Sequence, residues 1–295
     1  MKLATIDVDG RASAAVGLTD GTIAPAADLV RGASESVLGI IEAGPPLWSR
    51  LADAARSRRG ALAPERVRLL APIPRPRRNA FCVGWNYAEH FAEDKGRIAR
   101  GEELPDAPAF FSKNPATVIG PDAPVLHPTP HSEQLDWEVE LVAVIGRAGR
   151  DLSEADALGH VFGYTIGNDV SVRDVQQKRH GGQWFKGKNF DTHLPLGPWI
   201  VSADELGDPQ ALRICSRVNG VTKQDSSTRN MVFSVARVLT ELSAGLALEP
   251  GDLVLTGTPP GVGYARTPPE FLRAGDVMEM EIERIGTLRN RVELR

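Results

Sequence analysis

From Phe81 to the C-terminus the chain is built of short strand-like runs. ELVAVIG, HVFGYTIGNDV, PLGPWIVS, LRICSRVNG, GDLVLTGT and DVMEMEIERIG follow one another with Gly, Pro and Asp between them. Helical periodicity survives in WNYAEHFAEDKGRIARG and FSVARVLTELSAG, the second ending at Gly245, a residue suited to the position after a helix. Strands dominate without regular βαβ alternation, which predicts an α+β fold and not a doubly wound sheet.

The first segment reads differently. KLATIDVDG and AAVGLTDGTI are strand-like with DG turns, and SESVLGIIEAG and SRLADAARSRRGA read as amphipathic helices. The prolines in PERVRLLAPIPRPRR can continue neither a helix nor a central strand. They place a boundary within 70–78 and predict two units, a small N-terminal α/β domain over 1–72 and a larger domain over 73–295. A chain of 295 residues with 42% hydrophobic and 24% charged residues can bury a full core unaided. Net charge of −4 gives no reason to expect nucleic acid or an anionic membrane as partner. No apolar run approaches the ~18 residues of a membrane helix. MKLATIDVDG meets Asp7 and Asp9 before any signal-peptide core forms. Cys82 and Cys215 are far apart and form no CxxC pair, as expected of free thiols in a reducing compartment. The expectation is a cytoplasmic protein. GTPPGVG lacks the GK[ST] of a phosphate loop, and no dinucleotide fingerprint is present.

One strand carries a chemical problem. In LDWEVELVAVIG, alternation puts Trp137, Val139, Leu141, Ala143 and Ile145 on one face. Asp136, Glu138, Glu140, Val142 and Val144 share the other. Both faces end apolar, so the two glutamates sit at the rim of a buried region with Cα atoms about 6.5–7 Å apart. Two like charges there repel, and at least one must protonate unless a cation intervenes. Oxygen ligands favour a hard ion, Mg²⁺, Mn²⁺ or Ca²⁺, over zinc. A solvated edge strand would carry the same letters. Chelation needs a third ligand, for which Asp169 in YTIGNDVSVRD is a candidate; an ordinary turn aspartate reads the same way.

Four motifs then occur in order: DWEVELVAVIG, GYTIGNDVSVRDVQ, QWFKGKNFDTHLPLGPW and LTGTPPGVG. From about Asn79 onward the chain resembles the fumarylacetoacetate hydrolase family, in the prokaryotic branch acting on 2-keto acid derivatives. The resemblance implies a mixed β-sandwich roll for the larger domain, with the N-terminal unit as an accessory domain. It implies Glu138, Glu140 and Asp169 as ligands of one Mg²⁺ or Mn²⁺, with Ca²⁺ as a substitute in crystals. It also implies a lid in which Glu93 orients His90 as general base, followed by the charged stretch EDKGRIARGEELPD. His90 and Glu93 are three residues apart and face the same way on a helix. Lys188 matches an active-site lysine, whereas Lys186 has no such match. Arg173, Gln176 and Thr258 match substrate-contacting positions, and a guanidinium suits a carboxylate. Phe110, Phe111 and Lys113 are expected nearby. His127, His131, His160, His180 and His193 show no metal-ligand spacing and are expected to be structural or exposed.

The activity the resemblance implies is hydrolysis of a C–C bond in a 2,4-diketo acid through a cation-stabilised enolate. The same enolate serves decarboxylation of oxaloacetate and isomerisation or tautomerisation of related 2-oxo diacids. A non-catalytic keto-acid-binding protein is the remaining reading, and it would have lost part of this set. Similar proteins are homodimers, and a homodimer is expected here.

Overall fold

The computed structural model describes residues 1–59, 61–63, 66–94, 98–99 and 101–294. Among them an 11-stranded mixed sheet is laid down in the order Ile23–Pro25, Arg11–Gly17, Lys2–Val8, Leu194–Ser202, Val161–Asn168, Val139–Ile145, Leu253–Leu255, Ala80–Gly84, Ala109–Lys113. Arg68–Leu70 joins Lys2–Val8, and Val118–Ile119 joins Leu194–Ser202. A 5-stranded sheet runs Val221–Ser227, Arg213–Val218, Val277–Ile282, Gly286–Glu293, Val125–Leu126. Its first four strands form antiparallel pairs with one another, and Val125–Leu126 adds a parallel edge. No βαβ alternation generates either sheet, and the class is α+β.

Val139–Ile145 lies inside the large sheet, and every residue in it is buried. Its alternation separates two cores. Val139, Leu141, Ala143 and Ile145 join one cluster with Ile214, Met280 and Leu288 of the smaller sheet and with Val238 and Leu239 of the helix Val235–Ser243. Val142 and Val144 join another with Leu3, Val16, Ile40 and Leu51 of the N-terminal segment. This segment contributes strands as well as cover: Lys2 and Leu3 pair antiparallel with Val201 and Ile200. The helices Val37–Ala43 and Pro45–Ser57 supply apolar side chains to the same face. Burial of this strand on both faces is why its sequence is so apolar, and why its carboxylates demand explanation.

Two local details position the site. Antiparallel register sets Val139 against Asn168 and Glu140 against Gly167. The Asp169 amide then donates to the Glu138 carbonyl at 2.9 Å. Two segments about 30 residues apart in sequence thereby bring their acidic ends together. Among the described residues the helical pattern after Trp85 is continuous over Ala88–Glu93. Residues 95–97 and 100 of the charged stretch beyond it lie outside the described residues.

Candidate active site

Glu138, Glu140 and Asp169 each offer a carboxylate oxygen within 4.8 Å of the other two, and all three are buried. Glu140 and Glu138 differ in what surrounds them. Glu140 Oε2 accepts from the Gly257 amide at 2.7 Å, and no lysine or arginine among the described residues bonds it. Burial, then Asp169 and Glu138, push its carboxyl well above the usual carboxylate range. For Glu138, burial also opposes ionisation, but Lys188 and Arg173 outweigh it and hold the carboxyl below its usual range. Lys188 Nζ donates to Glu138 Oε2 at 2.8 Å and to Asp169 Oδ2 at 2.6 Å. Arg173 Nη1 reaches Glu138 Oε1 at 2.6 Å.

Two further buried groups complete the cluster. Lys113 Nζ donates to Asp169 Oδ1 at 2.7 Å and to the Val170 carbonyl at 3.1 Å. Its burial outweighs Asp169 and lowers its pKa. Asp136 accepts from Arg173 Nε at 2.8 Å and from the amides of Trp137, Gly263 and Tyr264 at 2.8, 2.7 and 2.9 Å. Counted as ionised, the buried carboxylates of residues 136, 138, 140 and 169 exceed the buried cations of 113, 173 and 188 by one charge. The donor set fits a hard divalent ion: three oxygens converge, one of them on a carboxylate with no cationic partner. An ion there would turn the excess of one negative charge into one positive, a site ready for an anion.

A cavity of about 340 Å³ opens over Glu138 and Glu140. Its lining includes the donors Arg173, Gln176 and Lys188 and the rings of Trp85, Phe111 and Trp184, with Lys188 Nζ over the Phe111 ring at 5.1 Å. Arg173 Nη2 is buried without a hydrogen-bond partner. Gln176 Oε1 accepts from Arg173 Nη1 at 3.1 Å, which fixes the amide and leaves its NH₂ to donate. The cationic and amide donors of this lining suit a ligand with several acceptor oxygens. Thr258 lines the cavity, but its hydroxyl donates to the Val139 carbonyl at 2.9 Å and accepts from Gln224 Nε2 at 2.7 Å. Only a lone pair of that oxygen remains for a ligand.

His90 also lines the cavity, and its Nδ1 lies 3.1 Å from Glu93 Oε2. A carboxylate accepts, so Nδ1 carries the hydrogen and Nε2 is left basic. Asn86, fully buried, fastens the start of this helix: its side chain bonds both backbone groups of Phe233 and the Thr256 carbonyl at 2.7–2.9 Å. Of the residues expected nearby, Phe111 lines the cavity, Lys113 bonds Asp169, and Phe110 is exposed. Lys186 is exposed and lies over the Phe190 ring. None of the remaining histidines lines this cavity. Asp136 was visible in the sequence only as a third acid on the Glu138 face. Asn86 and Gln224 carried no signal of their own.

The Fumarylacetoacetate (FAA) hydrolase C-terminal family model matches residues 79–293. The chain belongs to the fumarylacetoacetate hydrolase family. Oxaloacetate tautomerase FAHD2A, mitochondrial, of Bos taurus is 42% identical over 258 residues, covering 88% of this chain and 80% of the relative. Among solved structures, a fumarylacetoacetate hydrolase from psychrophilic Exiguobacterium antarcticum superposes with a TM-score of 0.84 at 40% identity, covering 100% of both chains. Maleylpyruvate hydrolase from Sphingobium sp. SYK-6, in complex with manganese(II) ion and pyruvate, gives 0.80 at 28% identity, covering 100% of this chain and 99% of that one. No described helix is long and apolar enough to cross a membrane.

Proposed function

We propose that the chain is a divalent-cation-dependent tautomerase of a 2-oxo diacid of the oxaloacetate class. The observation that carries this reading is the buried triad of Glu138, Glu140 and Asp169 at a cavity that is also lined by the donors Arg173, Gln176 and Lys188 and by His90. The 42% identity over 88% of the chain to an oxaloacetate tautomerase favours proton transfer over C–C cleavage. Glu138, Glu140 and Asp169 would hold the cation, Mg²⁺ or Mn²⁺, which when bound supplies Lewis acidity at the 2-oxo oxygen.

The chain's own residues do the rest. Arg173 and Gln176 donate to the substrate carboxylate and so fix the carbon chain relative to His90. Conversion of enol to keto form removes a proton from the oxygen on C2 and adds one at C3. His90 Nε2 takes the proton lost from the oxygen on C2 and returns it at C3, and Glu93 stabilises the imidazolium that forms between the two transfers. Lys188 places positive charge beside the oxygen that bears the developing negative charge. The rings of Trp85, Phe111 and Trp184 pack edge to face and give the cavity an apolar side.

Hydrolysis of a 2,4-diketo acid is the second reading, favoured by the same His90–Glu93 pair, which could instead take a proton from water, and by the likeness to maleylpyruvate hydrolase. One experiment separates them. The protein with Mn²⁺ is given enol-oxaloacetate, and loss of the enol absorbance is followed alongside pyruvate release; a parallel reaction contains an acylpyruvate. Faster loss of the enol without pyruvate supports tautomerisation. Cleavage of the acylpyruvate with no effect on the enol would sink it.

A further inference from the structure

The loop that holds GTPPGVG runs beside the strand that carries the glutamates and is bonded to it at successive positions. The Gly257 amide donates to Glu140 at 2.7 Å, the Thr258 hydroxyl to the Val139 carbonyl at 2.9 Å, and the Gly263 and Tyr264 amides to Asp136 at 2.7 and 2.9 Å. Between these points Gly261 accepts from the Trp137 indole at 3.3 Å through its carbonyl. Its amide turns the other way and donates to Glu93 Oε1 at 2.5 Å. The other oxygen of Glu93 holds His90 Nδ1. Residues 259 and 260 are prolines without an N–H, so Gly261 offers the first amide after Thr258. Only glycine fits there: φ is +107°, and a Cβ would lie 2.1 Å from the Lys223 carbonyl oxygen.

We propose that Gly261 is a positioning residue for the His90–Glu93 pair, setting it in register with the carboxylate strand through its own amide and carbonyl. The amide fixes the Glu93 carboxylate, and Glu93 fixes the tautomer and ring direction of His90. The carbonyl ties the same residue to Trp137, which directly precedes Glu138. The helix Ala88–Glu93 is thus fastened at both ends, by Asn86 at its start and by Gly261 at its finish. The consequence for activity rests on the reading that His90 moves the substrate proton; the consequence for the helix does not.

Gly261→Ala, Glu93→Ala and the double variant test this, using the full chain loaded with Mn²⁺. Three quantities are read: amide hydrogen exchange of residues 88–93, Mn²⁺ affinity by titration, and kcat and KM for enol-oxaloacetate. Each single variant should raise exchange in 88–93 by at least about tenfold, the loss of the Gly261–Glu93 charge-assisted hydrogen bond, and Glu93→Ala loses the bond to His90 Nδ1 as well. The double variant should go no further than Glu93→Ala, because the Gly261 bond is already lost in that variant. In Gly261→Ala, kcat should fall about tenfold, with KM and Mn²⁺ affinity within about twofold of the parent. Unchanged exchange in 88–93, or Mn²⁺ affinity falling in step with kcat, would overturn the proposal and leave the loop as a brace for the carboxylates alone. Should Gly261→Ala fail to fold, Glu93→Ala decides: the Gly261 amide must lose about tenfold protection, and undiminished protection refutes the contact. If the parent turns over no 2-oxo acid, the functional reading fails while the exchange measurements still decide the positioning role.

Discussion

Two consecutive stretches of chain, 136–140 and 141–145, obey opposite rules: Leu135–Asp136 belongs to a small two-stranded sheet, and Val139–Ile145 begins after a break at residues 137 and 138. From Leu141 to Ile145 the strand is dry, and each side chain packs into one of two apolar clusters. From Asp136 to Glu140 the same degree of burial encloses three carboxylates, of which Asp136 and Glu138 are held by lysine and arginine from elsewhere in the chain and Glu140 by a backbone amide. Burial of the apolar stretch stabilises, at about 25 cal/mol per Å² of apolar surface. Burial of the acidic stretch costs desolvation that ion pairing only partly returns. A fold retains such a region where convergent charge serves chemistry, so substitutions in the two stretches should separate stability from function.

The largest expected effect is on activity. Glu140→Gln keeps the shape but removes the one triad carboxylate that has no cationic partner among the described residues. Activity should fall about a thousandfold, the several kcal/mol that a Lewis acid contributes, and Mn²⁺ titration should show the affinity lost with it. In a chelator the variant should melt no earlier than the parent, because burial, Asp169 and Glu138 already disfavour the charged form of Glu140. An earlier melt in chelator, or retained Mn²⁺ affinity, would erase the contrast between the two stretches. Leu141→Ala, one residue along, should do the reverse. It should lower unfolding free energy by about 3 kcal/mol, the cost of a cavity in a fully buried position, while Mn²⁺ affinity at saturating temperature margin stays within about twofold of the parent. Denaturant unfolding and the same titration check both halves.

Much of this division can be read from the letters. Period-two alternation places Val139, Leu141, Ala143 and Ile145 together, and the structure gives them one core. Glu138, Glu140 and Asp169 were legible as a set only through the order of four motifs, because nothing local says that residues about 30 apart will be antiparallel neighbours. The supporting groups were less visible still. Lys113 meets Asp169 across 56 positions, and Asn86 meets Phe233 across 147. Each is a polar residue whose partner is set by the tertiary fold, so no periodicity announces it. Thr258, which the motif matches to a substrate-contacting position, lines the cavity, but the motif says nothing of the two bonds that occupy its hydroxyl.

The smallest expected effect concerns a polar group buried outside the acidic cluster. His193 is fully buried beside Phe190, stacked at 5.6 Å, and donates from Nε2 to the Leu126 carbonyl at 3.0 Å. Its Nδ1 is buried without a partner. Burial, only partly offset by the Leu126 bond, pushes its pKa down from 6.5 to about 3. The unfolded chain therefore binds the extra proton between these two values. Stability is fully present above pH 6.5 and is lost as the pH falls toward 3. Between pH 6.5 and about pH 5 the loss should be about 2 kcal/mol, from 1.36 kcal/mol per pH unit. His193→Gln, which keeps a donor for Leu126 and cannot titrate, should flatten that slope in denaturant unfolding curves and leave Mn²⁺ affinity alone. If parent and variant lose stability in parallel over this range, His193 is not the group responsible, and the apolar side of the molecule carries no titrating cost of its own.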